Sequence, residues 1–286
     1  MSKNPAKKKT LIIGLGPGGG ILAAHLVTAG FHVSGIDTWK EHVDAIKKNG
    51  ITVSRLTSLH IQLPDVGTHI DELKEKDFDY VVIAVKTPHM AEVVDWLKDM
   101  PGDFKVIAFQ NGLDNEEYLA RFFNKDRVLR GAVNYAGNMI EPGKMNMTFF
   151  HKPNFVGCIC DDNGCECAKE FAQILTEAGL ETDAADDIKK FTWRKAILNS
   201  PLSPICALLE DTMEACMAFG ETRELAIAVV SEAITVAKGL GYDYGDKFLE
   251  HCIDYLATAG PHKPSMLIDV ENKRGSSQTN DWSLSL

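Results

Sequence analysis

The chain has 286 residues, 45% of them hydrophobic and 24% charged, with 30 basic residues against 40 acidic ones and a formal net charge of −10. That length accommodates two ordinary domains and a sizeable buried core. The acidic balance argues against a protein that grips phosphate backbones, because the one basic cluster, Lys7-Lys8-Lys9, is a short N-terminal tail.

The elements begin with TLIIGLG, a short apolar run that ends in glycines, and continue with ILAAHLVTAG, a helix that stops at Gly30. Preceded by the basic tail, this region imitates a secretion signal. Its glycines and proline suit such a helix poorly, so the expectation is a cytoplasmic protein without a transmembrane span. FHVSGID predicts a second strand, and EHVDAIKKNG a second helix with a glycine stop. DYVVIAVKT predicts a third strand, continuously apolar as a buried parallel strand should be. AEVVDWLKDM is helical, and KVIAFQNG is another strand. Strands alternating with short helices imply parallel β-α-β units wound into one sheet.

The seven cysteines are unevenly spread, and Cys158, Cys160, Cys165 and Cys167 fall together in GCICDDNGCECAKEF. This C-x-C spacing departs from the C-x-x-C knuckles of structural zinc sites. It is read as a strand end, a polar turn and a helix start with reduced thiols, and no metal is assigned. From about Asp186 helix follows helix, most clearly in GETRELAIAVVSEAITVAKGLG, and no strand-rich stretch is expected after about Phe155. The boundary is placed between Thr182 and Asp187, giving domains 1–184 and 185–286.

Gly14, Gly16 and Gly19 form G-x-G-x-x-G directly after a strand and at the opening of a helix. There the first glycine permits a tight turn, the second lets backbone approach a pyrophosphate, and the third lets helix pack on strand. Leu15, Pro17 and Gly18 complete the phosphate loop, which the helix N-terminus favours electrostatically. Asp37, 18 residues beyond Gly19, ends the next strand. A carboxylate there accepts from ribose hydroxyls and repels a 2′-phosphate, favouring NAD(H). Lys40 nearby leaves NADP(H) open, and the alternative is an aspartate capping the next helix. The fold class is therefore α/β: a Rossmann-type, mostly parallel sheet with helices on both faces, then a mostly α-helical substrate and catalytic domain.

Lys86 and Asn111 each follow a strand of that sheet and should face the nucleotide crevice, where open α/β sheets bind ligands. In FTWRKAILNSP, Lys195, Asn199 and Ser203 are spaced i, i+4, i+8 on one helical face, with Trp193 and Ile197 on another. Pro201 should bend or end the helix near Asn199. The bland alternative is a lysine snorkelling from a half-buried helix. A fold that binds a nicotinamide still needs an acid for the substrate carbonyl, which favours chemistry.

IIGLGPGG, AVKT, FQNGLDNEE, GAVNYAGNMIEPG, WRKAILNSPLSPICAL, SEAITVAKGLG and KPSMLIDVENKRG together resemble the ketopantoate reductase family (2-dehydropantoate 2-reductases) over nearly the whole chain. The resemblance implies two domains and reduction of the 2-oxo group of ketopantoate to pantoate, on the route to coenzyme A. It makes Lys195 the general acid and Asn199 a substrate ligand. It also assigns Lys86 and Asn111 to the cofactor and substrate cleft, and Ser265 to substrate contact. A lysine ammonium suits that role because burial beside other cations lowers its pKa towards working pH. Two departures stand out. Ser203 replaces a second family asparagine, and an expected glutamate falls on Ser277 or Asn280, near a shortened C-terminus. Rival readings are another 2-oxo acid reductase, a 3-hydroxyacid dehydrogenase, an opine dehydrogenase with His262 in the catalytic role, and a non-catalytic nicotinamide-binding relative. The expected partners are a small 2-oxo acid, no nucleic acid, no membrane, and a second copy covering an apolar helical face.

Overall fold

A computed structural model describes residues 8–160 and 165–271. They form two compact units: residues up to Gln110 with Asp114–Ile188, and Asn111–Leu113 with the residues from Lys189 on.

The first unit runs β1 (Lys9–Ile13), α1 (Pro17–Thr28), β2 (His32–Ile36), α2 (Lys40–Asn49), β3 (Ile51–Arg55), β4 (Leu59–Ile61), β5 (Val66–Gly67) and β6 (Tyr80–Ile83). It continues with α3 (Met90–Leu97), β7 (Lys105–Ala108), α4 (Asn115–Leu119), β8 (Val128–Ala132), β9 (Tyr135–Glu141) and β10 (Lys144–Phe150), and ends with β11 (Asn154–Cys158), α5 (Glu166–Glu177) and β12 (Thr182–Ala184). Among the described residues the main sheet has eight strands in the order β12-β11-β8-β7-β6-β1-β2-β5. Its pairings are parallel except where β11 runs against β8.

The continuous apolar strands are explained by burial on both faces. Side chains alternate along a strand, so Leu11 and Ile13 enter one core while Ile12 enters the other. Val81 and Ile83 likewise oppose Tyr80 and Val82. Helices α3 and α4 cover the first face through Met90, Val93, Leu97 and Leu119, and α1 and α5 cover the second through Ile21, Leu22, Phe171 and Leu175. The expected parallel sheet with helices on both faces is what forms.

A second sheet was not expected. Four strands, in the order β4-β3-β10-β9, lie on the far side of α1 from the main sheet, with β9 and β10 joined as a hairpin through Pro142 and Gly143. Its strands bury only alternate residues, such as Met145 and Met147, and so lack the continuous apolar signature. With a sheet on each side, α1 is buried almost all round, which accounts for its lack of a polar face. After β11 only β12, three residues long, is strand among the described residues; it extends the sheet edge beside β11.

The second unit is helical, as the sequence pattern predicts: α6 (Ile188–Asn199), α7 (Leu202–Leu209), α8 (Met213–Ala218), α9 (Gly220–Gly239), α10 (Phe248–Ala257) and α11 (Ser265–Glu271). Ile197, Leu202, Ile205, Val230, Leu256 and Leu267 share its core. Among the described residues no helix is long and apolar enough to cross a membrane.

Candidate active site

The strand ends of the main sheet set out the nucleotide site. Ile36 of β2 and Ile83 of β6 both pair with Ile13 of β1, and Ala108 of β7 pairs with Ile83. Gly14, Asp37, Lys86 and Asn111 therefore all follow strands that finish in one row. The chain leaves β1 for β2 on one side and returns to β6 on the other, so this row is the topological switch point where such sheets bind ligands. A hollow of about 330 Å³ at the opposite ends of β1 and β2, lined by Lys9, His32, Ser34, Asp65 and Lys74, lies away from it.

The glycine loop has the shape that a pyrophosphate needs. Gly14 has φ +94, and a Cβ there would stand 2.8 Å from the backbone of Ala84 and Val85. A Cβ on Gly19 would overlap the Gly14 carbonyl oxygen, so helix and strand touch at that point. Above Gly16 and Gly18, by contrast, nothing lies within 4 Å of the Cβ position. Helix α1 starts here with Gly16 as N-cap and Pro17 at its first turn, with no acidic residue in that turn and no side-chain cap. Its first-turn amides and positive dipole end are thus available to an anion. The residues present fit the pyrophosphate of a nicotinamide dinucleotide.

Two side chains clamp Leu15 between these glycines. Asp37 Oδ2 accepts the Leu15 amide at 2.8 Å, while Oδ1 accepts the Trp39 amide at 3.0 Å. The capping alternative is not what forms: Trp39 is the N-cap of α2, which has no side-chain cap. Asp37 instead ties the glycine loop to the β2–α2 turn and keeps lone pairs for further donors. Lys40 is engaged by Asp44 at 2.7 Å. The fully buried His42 holds the other side of Leu15. Its Nδ1 accepts the Gly143 amide at 3.0 Å, so Nε2 carries the proton and donates to the Leu15 carbonyl at 3.0 Å. Tyr135 donates its hydroxyl to the Gly18 carbonyl at 2.9 Å, and burial pushes its phenol pKa up, keeping the proton in place. Neither His42 nor Tyr135 was legible as a site residue, because both act through the unexpected hairpin.

Beyond the row, Lys86 is half-buried and stands immediately before the short 3₁₀ turn Thr87–His89. Arg130 of β8 and Glu116 of α4 form an ion pair at 3.4 Å with side chains only 3% and 2% exposed. Arg130 also donates to the carbonyl of Ala108, the last residue of β7, at 3.4 Å. Burial pulls the guanidinium pKa below its ordinary value, and Glu116 opposes that shift.

In the helical unit, Lys195 is half-buried on α6, between Trp193, which stacks on Tyr242 at 5.9 Å, and the core residue Ile197. Asn199 is the last residue of α6, as Pro201 requires, and α7 starts at Leu202. Ser203 therefore corrects the expectation of one continuous face: it belongs to α7 and is 3% exposed. Asn111 is half-buried and groups with this unit. Ser265 is exposed at the first position of α11, a helix that packs on α7. The positions expected to carry the family glutamate, Ser277 and Asn280, lie outside the described residues.

Comparison with known proteins accords with this arrangement. The family model Ketopantoate reductase PanE/ApbA matches residues 10–159, and its counterpart, Ketopantoate reductase PanE/ApbA C terminal, matches residues 187–277. The chain is 28% identical over 276 residues to a 2-dehydropantoate 2-reductase of Lactococcus lactis, covering 92% of this chain and 85% of that one. A solved 2-dehydropantoate 2-reductase from Geobacter metallireducens superimposes with a TM-score of 0.87 at 24% identity, over 94% of this chain and 89% of that one. A D-mandelate dehydrogenase solved with NADH and anilino(oxo)acetate shares the fold, with a TM-score of 0.84 at 22% identity over 94% and 87% of the two chains. The chain belongs to the ketopantoate reductase family.

Proposed function

We propose that this protein is a cytoplasmic oxidoreductase that converts 2-dehydropantoate to pantoate, using NADH in preference to NADPH. The observation that carries the reading is the open cradle above Gly16 and Gly18, at the N-terminus of α1 and in the row of strand ends that leads to Asp37 and Lys86.

Reduced nicotinamide, when bound, supplies a hydride to the carbonyl carbon. The chain then has to hold the 2-oxo acid and protonate the oxygen that becomes an alkoxide. Lys195 is the proton donor in this reading: an ammonium on a helix fixed by Trp193 and Ile197 has a defined position from which to give its proton. Asn111, Asn199 and Ser265 orient the carbonyl and carboxylate through hydrogen bonds, and Ser203 lines the substrate position from α7. Asp37 supports NADH, because it keeps acceptor capacity for ribose hydroxyls and repels a 2′-phosphate, while Lys40, paired with Asp44, is not free to offset it. Exposed Leu208, Leu209 and Phe219 on the helical unit support a homodimer, to be checked by sedimentation.

The test follows reduced-nicotinamide absorbance with 2-dehydropantoate, offering NADH and NADPH separately. Turnover is expected with both, favouring NADH, and Lys195→Ala should lower kcat by about 10²- to 10⁴-fold, the usual worth of a positioned acid. Full activity in that variant would remove Lys195 from the role. A second reading, reduction of an aryl 2-oxo acid, is favoured by the shared fold of the D-mandelate dehydrogenase. Turnover of phenylglyoxylate but not 2-dehydropantoate would establish it instead.

A further inference from the structure

The four cysteines of GCICDDNGCECAKEF converge at a point that the proposed reaction does not use. Cys158 is the last residue of β11, and Cys160 follows two residues on, where the chain bends away from the strand. Cys165 is the N-cap of α5, and Cys167 lies in its first turn. The sulfurs of Cys158, Cys160 and Cys165 all lie within 4.8 Å of one another. Cys167 Sγ is 3.0 Å from Cys165 Sγ and 3.6 Å from Cys158 Sγ. Cys158 and Cys165 meet as a disulfide with Cα atoms 6.1 Å apart, but that bond accounts for two sulfurs of the four. The other two thiols crowd the same point.

We propose that Cys158, Cys160, Cys165 and Cys167 form, in the reduced protein, a tetrathiolate site for a soft divalent cation, Zn²⁺. Tetrahedral zinc with Zn–S bonds of ~2.3 Å sets its sulfurs roughly 3.8 Å apart, a spacing these four already approach. The C-x-C spacing that argued against a metal is accounted for locally. A knuckle needs two intervening residues to turn both ligands inward, whereas here the chain bends at Cys160, directly after the strand end, and brings its sulfur within 4.8 Å of those of Cys158 and Cys165. The second pair opens a helix, where the dipole favours thiolate. Burial pushes the Cys167 thiol pKa up, the Lys105 ammonium opposes that shift, and a bound cation displaces the proton outright. The Lys105 ammonium, which acts on Cys167, offsets part of the net negative charge of a four-thiolate complex. The ion would pin α5, which supplies Phe171 and Leu175 to the core, to the end of β11.

The full chain, purified under a phosphine reductant without added metal, is titrated with Co²⁺ as a spectroscopic probe. One equivalent should bind, with thiolate-to-cobalt charge transfer and tetrahedral d–d bands, and Zn²⁺ should displace it. Cys160→Ser and Cys167→Ser should each weaken binding by more than about 100-fold, above the 10- to 100-fold that outer-shell changes cost. Cys206→Ala, in the helical core, should leave the spectrum unchanged. If a serine variant does not fold, alkylation of the wild-type chain decides: Zn²⁺ should protect four cysteines from modification. An octahedral cobalt spectrum, absence of protection, or a Cys158–Cys165 disulfide that persists through reduction and excludes Co²⁺ would overturn the site.

Discussion

Leu15 contributes only backbone to the glycine loop, yet both its polar groups are assigned: its amide goes to Asp37 and its carbonyl to His42. His42 is the more consequential partner, because it is wholly buried and satisfies two backbone groups at once, one on the loop and one at Gly143. In His42→Ala both groups lose their partner, at roughly 1–3 kcal/mol each. Stability should fall by a few kcal/mol in urea unfolding, and NADH should bind more weakly in a fluorescence titration. An unchanged urea midpoint and unchanged affinity would show that the clamp is dispensable. The place of Asp37 at the end of β2 was legible in the sequence, but its bond to Leu15 and the His42 contact were not. A histidine on an amphipathic helix gives no sign of which distant carbonyl it will meet.

Helix α1 does two jobs, and its glycines divide between them. Gly19 is small so that helix can lie on strand, since a Cβ there meets backbone that cannot move aside; Gly18 has no such neighbour. The same substitution should therefore separate folding from binding. Gly19→Ala is expected to lower the melting temperature and abolish cofactor binding together. Gly18→Ala should melt at or slightly above the wild-type temperature, since alanine restrains the unfolded chain. It should still raise the Kd for NADH, because its methyl enters the space above the loop. If both variants melted and bound alike, that division would be wrong. The helix start and its glycines were readable from the motif, but its all-round burial was not, because the second covering sheet pairs β3 with β10, strands remote in sequence. On α6 and α7 the misreading was local: i+8 spacing extends a helical face only through an unbroken helix, and Pro201 breaks this one.

Stability of the folded chain should depend on mild acidity through two half-buried imidazoles. Burial pulls the pKa of His25 below its ordinary value, against the raising effect of its bond to the Ala178 carbonyl, and burial does the same to His262. Both bind a proton less readily in the fold than in the unfolded chain, so the unfolded chain binds more protons once pH drops towards and below about 6.5. Their contribution is complete above that pH and shrinks as pH falls from it towards the folded pKa values. The urea midpoint should therefore decline as pH falls below about 6.5, and His25→Gln, which can still donate to Ala178, should flatten part of that slope. A slope identical in the variant would assign the dependence elsewhere. Local pattern was enough for the parallel sheet, the glycine loop, Asp37 and the helical second unit, because apolar periodicity, glycine backbone freedom and strand-end position are written into consecutive residues. The hairpin sheet, the His42 clamp, the buried Arg130–Glu116 pair and the convergence of four thiols arise from folding in three dimensions. Each is selected by burial and hydrogen-bond satisfaction between separate elements, as where His42 meets Gly143, and no run of neighbouring residues encodes such a partner.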